Sequence, residues 1–313
     1  MNGITVQAGF SAGSAWGQTF QTVTTKVPII SESMSLNYDL NRSEALDGSA
    51  AQKAASNGRV NHPGAINLEV DYGVMDILEY CMGAASGGIY SFTASLEKFF
   101  HFEVDKYTRR HRSQSVMVNS FTLSGEAGSG KPLQLSMDCV GYDGEPVVTD
   151  FPSLSALPTT RAFFEHMTNM WIGDLDNSLT TGDAIEVRSF ELSCNHNQQV
   201  DGKDSSDQSH NLQPIRDGFR TAELKLSFAR YTSACANLHT WKSDNEHLQV
   251  YMQFTSGSNN MIVQIPEAVI TAGGEFPISG AGALEGDVTL ELYANNNNSN
   301  MATVEDQFEI TIV

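Results

Sequence analysis

The chain of 313 residues carries 18 Lys and Arg against 37 Asp and Glu, a formal net charge of −19. Such a surface repels nucleic acid and anionic lipid. It excludes a protein that grips DNA, because gripping requires phosphates to be neutralised by Lys or Arg. The length fits about two domains of ordinary size. Short alternating runs rich in Val, Ile, Thr, Phe and Tyr favour strands over long helices.

Targeting signals and cysteine usage indicate the compartment. Residues 1–20 are rich in Gly, Ser and Gln and do not resemble a signal peptide. No run approaches the roughly 18 apolar residues that span a bilayer. The four cysteines, Cys81, Cys139, Cys194 and Cys235, form no CxxC pair and are expected to be small buried hydrophobes in a reducing compartment. We therefore expect a protein that is made and folded in a cytoplasm.

The first predicted elements occur twice. Ser33–Asp39 has apolar residues at every second position, as a half-buried strand does, and Ser189–Asn195 repeats the pattern. A long polar loop follows each strand, and each loop leads through a glycine to a second alternating strand that ends at Tyr72 or Phe228. The loops are Leu40–His62 and Asn197–Asp217. The spacing from the first strand to the second is the same in both copies, which indicates a tandem repeat.

The remaining elements keep the same order in both copies. An apolar stripe at helical spacing covers Val74–Met82 in one copy and Tyr231–Leu238 in the other, and predicts a short helix. Predicted strands follow at Phe102–Val104, Val118–Leu123 and Leu133–Cys139, and at Leu248–Phe254, Met261–Ile270 and Val288–Leu292. Gly-rich turns precede the last strand of each set, at Gly125–Gly130 and Gly273–Gly286.

Prolines between Gly144 and Pro158 interrupt regular structure and mark the joint between the copies. Further strands are predicted at Met167–Ile172 and Phe308–Ile312. The predicted fold class is mainly β, with two tandem antiparallel β-sandwich or open-barrel domains, each flanked by a short α-helix. The predicted domains are residues 1–150 and 151–313.

Two segments resemble ligand loops but depart from them. Gly125–Lys131 nearly matches a phosphate-binding loop, yet Pro132 replaces the hydroxyl residue and a strand follows, which favours a hairpin turn. Asp174–Ser178 resembles the start of a calcium loop, but Leu179 and Ile185 occupy the positions of Gly and Glu. A weak ion site there or in the second polar loop stays open.

No catalytic, cofactor or metal site is predicted, and the chain is not expected to be an enzyme. The eight histidines form no HExxH or HxH pair, and no GxSxG elbow is present. A Ser-His-Asp triad dispersed along the chain stays open, because its members need not be close in sequence.

The only basic cluster is Arg109–Arg112. It suits either phosphate contact or a surface complementary to a neighbour's carboxylates, and the acidic chain favours the second. Arg109, Arg110 and Arg112 are therefore predicted to lie at a subunit interface.

The layout resembles the tail tube proteins of long, non-contractile-tailed bacteriophages, in the form with two tandem tube domains. The resemblance covers nearly the whole chain. It rests on Ile29–Ser33 at the first strand, the polar loop before Gly64, Asp76–Gly83, Phe121–Gly125, and Ile265–Pro266 ahead of the last Gly-rich hairpin.

This resemblance implies a structural subunit of a virion tail, assembled in the host cytoplasm and needing no cofactor. Three chains would close a pseudo-sixfold ring, rings would stack into a tube, and DNA would pass through without specific binding. Other tail proteins would bind the tube ends, and no membrane is involved.

The resemblance also places the two long loops between stacked rings. The inter-ring candidates are Arg42, Glu44, Asp47, Arg59, Asp201, Lys203, Asp204 and Arg216. Acids on predicted strands, opposite apolar positions or in polar alternation, are candidates for the channel lining. They are Glu32, Asp39, Glu69, Asp71, Glu191 and Glu223.

A second hypothesis is a carbohydrate- or receptor-binding β-sandwich module of a virion or cell surface. Exposed aromatic residues clustered on one loop face would favour it. Most aromatic residues in this sequence alternate within predicted strands instead.

Overall fold

A computed structural model of the chain describes residues 6–42, 55–73, 75–93, 96–106, 109–157, 160–175, 177–203, 209–276, 285–295, 298, 301, 304 and 306–313. Over these residues the structure has 20 strands and two α-helices, and all the paired strands run antiparallel. The prediction of a mainly β, antiparallel fold is confirmed.

The first half of the chain forms two sheets that share one long strand. In one sheet the order is β1, β8, β9, β11, and in the other it is β3, β5, β10, β9. The elements are β1 (Gln7–Gly13), β2 (Thr25–Val27), β3 (Ile29–Glu32), β4 (Asn37–Arg42), β5 (Ala55–Glu69), α1 (Leu78–Met82), β6 (Gly83–Ser86), β7 (Ile89–Phe92), β8 (Phe99–Asp105), β9 (Arg110–Glu126), β10 (Gln134–Gly141) and β11 (Asp143–Val147).

The second half repeats this pairing order. Its sheets run β12, β17, β18, β20 and β13, β16, β19, β18. The elements are β12 (Met167–Asp174), β13 (Ser189–Asn195), β14 (Gln198–Gln199), β15 (Ile215–Arg216), β16 (Thr221–Phe228), α2 (Ala236–Asp244), β17 (Leu248–Ser256), β18 (Asn259–Gly273), β19 (Gly286–Tyr293) and β20 (Glu309–Ile312).

The two halves are joined by strand pairing. β9 pairs with β13 from Glu126 opposite Ser189 to Ser120 opposite Asn195, and β7 pairs with β20. The first pairing makes one continuous sheet of eight strands, in the order β3, β5, β10, β9, β13, β16, β19, β18. The halves share this sheet and one apolar core. The division into two domains, residues 1–150 and 151–313, therefore stays a prediction.

A single line of apolar residues crosses the core side of this sheet, one from each strand. We call it the core row: Ile29, Leu68, Leu135, Leu123, Leu192, Leu224, Leu290 and Ile270. The six leucines are at most 2% exposed and Ile270 is 5% exposed. Fully burying a leucine side chain contributes roughly 1.5–3 kcal/mol, so the core row is a main source of cohesion across the sheet.

The predicted first strand, Ser33–Asp39, is wrong in its bounds. β3 ends at Glu32 and β4 begins at Asn37. Between them the chain crosses Gly64 so closely that a Cβ there would lie 2.5 Å from the Cα of Met34. The counterpart of β13 is β3, since Ile29 faces Leu68 as Leu192 faces Leu224.

The predicted loop Leu40–His62 is also wrong over much of its length. β4 pairs with the first part of β5, from Asn37 opposite Asn61 to Arg42 opposite Ala55. Paired strands therefore cover residues 40–42 and 55–62 of the predicted loop. In the second loop, β14 pairs with β15.

The helix predictions hold in part. α1 ends at Gly83, whose φ of 105° is left-handed and suits glycine at a helix end. α2 begins at Ala236, five residues after the start of the predicted stripe, and Tyr231 before it is 46% exposed.

The predicted hairpin turn between β9 and β10, the strand after the joint and the terminal strand are confirmed. Within the described residues, no helix is long and apolar enough to cross a membrane.

Candidate functional site

The side of the eight-stranded sheet that faces away from the core is polar. Alternation along each strand places Ser, Thr, Asn, Gln and charged side chains there. One line across it runs from Asn67 through Ser136, Thr122, Ser193 and Glu223 to Glu291. We call this surface the polar face; it comprises the outward residues of 65–69, 134–138, 120–126, 189–195, 221–227 and 287–291.

The charges on the polar face are one-sided. Within these ranges Lys225 is the only basic residue, against seven acids, so the formal charge is 1 − 7 = −6. Arg161 and Arg188, at the margin of the polar face, pair with Glu69 and Glu126. The acids are Glu69, Glu126, Asp138, Glu191, Glu223, Asp287 and Glu291. Such a surface attracts cations and repels polyanions.

Two cross-strand pairs on the polar face have opposite character. Lys225 lies opposite Glu191, with Nζ 3.5 Å from Oε1. Glu223 lies directly opposite Glu291, and like charges in that position destabilise a sheet. The fold therefore keeps a local electrostatic cost where a neutral pair would avoid it, which points to a use for the negative charge.

The structure divides the acids that were predicted to line a channel. Glu69, Glu191 and Glu223 lie on the polar face. Glu32 lies opposite Ile66 on the other side of β3, and its largely buried carboxylate pairs with Lys106. The side chain of Asp39 lies outside the described residues.

Asp71 is fully buried, beyond the end of β5, where strand alternation no longer decides its direction. Its carboxylate pairs with Arg161 and accepts a hydrogen bond from Thr160 at 3.1 Å. Arg161 also pairs with Glu69 at 2.8 Å, so it ties the start of the second half to the first.

Four acids of the polar face were not predicted. They are Glu126, Asp138, Asp287 and Glu291. The signal was available, because Leu133–Cys139 and Val288–Leu292 alternate in the same way as the strands that were used.

The arginine cluster is compensated within the chain. Arg110 is 4% exposed and its guanidinium pairs with buried Glu103 and donates to Thr149. Arg112 lies 3.6 Å from Glu103 and 3.5 Å from Glu145, with its guanidinium 4.5 Å above the Phe20 ring. Burial raises the pKa of Glu103, against the opposite effect of the two guanidinium groups.

Arg109 is exposed at the start of this segment. The role of Arg109, Arg110 and Arg112 at a subunit interface stays a prediction. The buried pair of Arg110 with Glu103 shows that part of this positive charge is used to hold β8 and β9 together.

The predicted inter-ring residues are spread over both long connections. Arg42 is the last residue of β4, and Arg59 is half-buried in β5. Asp201 and Lys203 are exposed after β14, and Arg216 is exposed in β15. Glu44, Asp47 and Asp204 lie outside the described residues. Their role between rings stays a prediction.

Part of the second connection packs on the first half of the same chain. The N–H of Val60 donates to the Ser209 carbonyl at 2.7 Å, and the Trp16 Nε1–H donates to the Asn211 carbonyl at 3.1 Å. Between them, the ring of His210 stacks on Tyr142 with centroids 4.1 Å apart. This segment therefore contributes to the contact between the halves.

A buried histidine lies where the halves meet. Nε2 of His196, just after β13, lies 2.7 Å from the carbonyl of Cys81 in α1, to which it donates as the neutral ring. The rings of Phe92 and Phe121 pack beside it, with centroids 6.0 and 6.2 Å from the centroid of the imidazole. Burial, with a further contribution from nearby Arg220, lowers the pKa of His196 to about 4.

Over the described residues, no group of three or more His, Cys, Asp and Glu side chains is placed to hold a metal ion. The glycine-rich Gly125–Lys131 segment forms the turn between β9 and β10. The four cysteines are buried and unpaired with one another, as expected for small core residues.

A sequence profile described as phage tail tube protein matches residues 3–297. The chain belongs to the phage tail tube protein family. No curated protein matches it. As a tail tube protein, the chain is a structural component of the phage tail. The acidic charge of the polar face is the feature of this tail tube protein that its function has to account for.

Proposed function

We propose that three copies of this tail tube protein close into a pseudo-sixfold ring and that the rings stack into a tube for DNA. The polar face lines the channel. The observation that carries the proposal is its continuity: one acid-rich surface crosses six neighbouring strands from both halves of the chain.

The charge of the polar face suits a channel that DNA must traverse quickly. Three copies contribute 3 × −6 = −18 formal charges per ring, from seven acids and one lysine each. DNA binding requires Lys or Arg side chains that neutralise phosphates and release counterions. An acid-rich wall offers almost no such side chains. DNA therefore passes without specific binding.

The number of strands sets the width of the ring. Three sheets of eight strands make 24, and neighbouring strands lie about 4.8 Å apart, so the closed sheet has a diameter of at least about 37 Å. Strand tilt widens it further. The diameter that remains after the protein side chains lining the channel are subtracted is large enough for a DNA duplex.

The proposal also includes the role of the protein, its partners and the place of its assembly. The protein acts as a structural subunit and not as an enzyme, with other copies of itself as its main partners. Other tail proteins bind the tube ends, and assembly takes place in the host cytoplasm without a membrane.

Electron microscopy of the purified full chain at increasing concentration tests the proposal. We expect hollow rings whose averages show threefold symmetry, and tubes at the highest concentration. Monomers that persist at every concentration would contradict it, and glycan binding by those monomers would support the carbohydrate-binding alternative.

A further inference from the structure

The sheet of β12, β17, β18 and β20 has a second surface, on the side away from the core. Alternation along these strands places there the outward residues of 169–171, 251–255, 260–264 and 309–311. We call this surface the outer face. It lies across the core from the polar face, so it points away from the proposed channel.

The corresponding surface in the first half of the chain is covered. There His101 of β8 is fully buried, and the Phe20 ring packs on its imidazole with centroids 5.3 Å apart. Beside it the Ser115 hydroxyl, also buried, donates to the Ala15 carbonyl at 3.1 Å. The connection between β1 and β2 therefore lies over this side of the first sheet.

In the second half, the connection that follows β12 takes a different path. The Ile185 N–H donates to the Met170 carbonyl at 2.9 Å, and a backbone bridge joins Ala184 to Trp171. This segment therefore runs along the edge of β12 and borders the outer face. Trp171 and Tyr251 remain partly exposed on that face.

The outer face has almost no charge. Glu309 is the only charged residue within its ranges, and it is 8% exposed. The whole chain, by contrast, has 18 basic and 37 acidic residues. A surface of this kind neither attracts nor repels ions strongly, so it suits a neutral ligand.

Two aromatic rings line a groove in the outer face. Trp171 of β12 lies opposite Tyr251 of β17, and their rings stack with centroids 5.1 Å apart and an angle of 23° between the planes. Gln264 of β18 is next in the same row, and its amide has no hydrogen-bond partner among the described residues. Leu179 and Met301 also line the groove, whose volume is about 410 Å³. Sites for small molecules have volumes of roughly 300–1,000 Å³.

A network of amides and hydroxyls continues the outer face beyond the two rings. The Tyr251 hydroxyl donates to Oε1 of Gln253 at 3.3 Å, and Nδ2 of Asn169 donates to the same oxygen at 2.7 Å. Oδ1 of Asn260 accepts from Gln253 at 3.4 Å and from the Thr255 hydroxyl at 2.7 Å. These contacts hold the polar groups in place before a ligand binds, which lowers the entropic cost of binding.

We propose that the outer face binds a neutral glycan that contains N-acetylhexosamine. The flat C–H side of a β-linked sugar ring packs on exposed aromatic surface, and its hydroxyls pair with the amides of the network. The acetamido group has one donor and one acceptor, and the Gln264 amide can pair with both. The negative charge of the rest of the chain disfavours acidic glycans. The position of this site on the outside of a tube rests on the proposed function, whereas the binding itself does not.

Retention on beads tests the proposal. Beads that carry chitin, a neutral β-linked polymer of N-acetylglucosamine, should deplete the full chain from solution, both as free subunits and as assembled rings or tubes. Beads that carry hyaluronan, in which the same sugar alternates with a carboxylate sugar, should not. Failure of chitin to retain the free subunit, or equal retention by hyaluronan, would overturn the proposal. Retention of subunits but not of tubes would show that a neighbouring copy covers the outer face, and would overturn a site on the assembled tube.

Three variants assign the retention to the groove. Trp171→Ala should bind chitin about tenfold more weakly, because it removes one ring of the aromatic pair. Gln264→Leu should also weaken retention, and it keeps the size of the side chain in case Trp171→Ala does not fold. Phe219→Ala removes an aromatic side chain that is 93% exposed and lies outside the outer face, so it should leave retention unchanged.

Equal retention of the wild type and the folded groove variants, or an equal loss in Phe219→Ala, would contradict a site in the groove. Absence of rings in the electron micrographs would contradict the proposed function alone, because retention of the free subunit still decides whether the outer face binds the glycan.

Discussion

At the scale of single residues, the contact between the two halves includes the neutral imidazole ring of His196. Its Nε2–H donates to the Cys81 carbonyl at 2.7 Å in a site that excludes water. Charging the ring costs free energy there, because burial and Arg220 both disfavour the cation and lower the pKa to about 4. The contact between β13 and α1 is therefore sensitive to acid.

The pH dependence of stability follows from that shift. The unfolded chain binds a proton at His196 near pH 6.5, whereas the folded chain binds it only near pH 4. Stability is therefore present above the unfolded pKa and falls as the pH is lowered from 6.5 to 4, by up to about 3 kcal/mol from this group.

The variant His196→Gln, which keeps a donor for the Cys81 carbonyl, should lack this part of the decline. Chemical denaturation at a series of pH values measures it, and His239→Gln on exposed α2 serves as the control. Parallel curves for the wild type and His196→Gln would refute the assignment.

At the scale of elements, the pairing of β16 with β19 includes an electrostatic repulsion on the polar face. Glu223 and Glu291 lie directly opposite each other, while Glu191 in the next strand has Lys225 as its partner. Exchanging one glutamate for lysine would create an attractive pair. A protein selected for stability alone would gain from that exchange, and the retained acidic pair is consistent with the proposed passage of DNA.

The variant Glu223→Lys should be more stable than the wild type by roughly 0.5–1 kcal/mol, because repulsion becomes attraction across the strands. Particles that carry it should eject DNA more slowly, since a phosphate contact replaces a repulsive site. Denaturation and a DNA-release assay measure the two effects.

Glu97→Lys makes the same charge change at an exposed position outside the polar face and should alter neither property. Unchanged ejection by Glu223→Lys, together with Glu291→Lys, would count against a role for the polar face in DNA passage.

At the scale of the whole molecule, the β4–β5 hairpin continues β5 beyond the part that pairs within the eight-stranded sheet. Its two arms pair out to Arg42 opposite Ala55. The length and polarity of residues 43–54 suit contact with another ring, as proposed for the inter-ring candidates. The paired arms allow this segment to be removed without disturbing β5 near Val60, where the second connection packs.

Replacing residues 43–54 by Asn-Gly should close the hairpin with a two-residue turn. We expect a folded subunit that still forms rings but no longer stacks into tubes, because the contact between rings is lost. Electron microscopy and circular dichroism measure assembly and folding.

A Gly/Ser segment of the same length separates the effect of sequence from that of length. Full-length tubes from the shortened chain would be incompatible with an inter-ring role for this segment.

Local patterns in the amino-acid sequence determined much of this protein. Alternation with a period of two located most strands, the core leucines and three acids of the polar face, because each strand residue must face either the core or solvent. The same patterns showed that the elements recur in one order, and the family resemblance is confirmed by the profile match.

Only the tertiary structure decided which strands are neighbours. The pairing of β9 with β13 joins residues far apart in sequence, and no local pattern encodes such a partner. It also decided the positions of Glu32 and Asp71. A register shift between Ile29 and Ser31 in the pairing of β3 with β5 places Glu32 opposite Ile66, and Asp71 lies beyond the end of β5. The reason is physical: the direction of a side chain follows from its own strand, whereas register and edges follow from the packing of the whole chain.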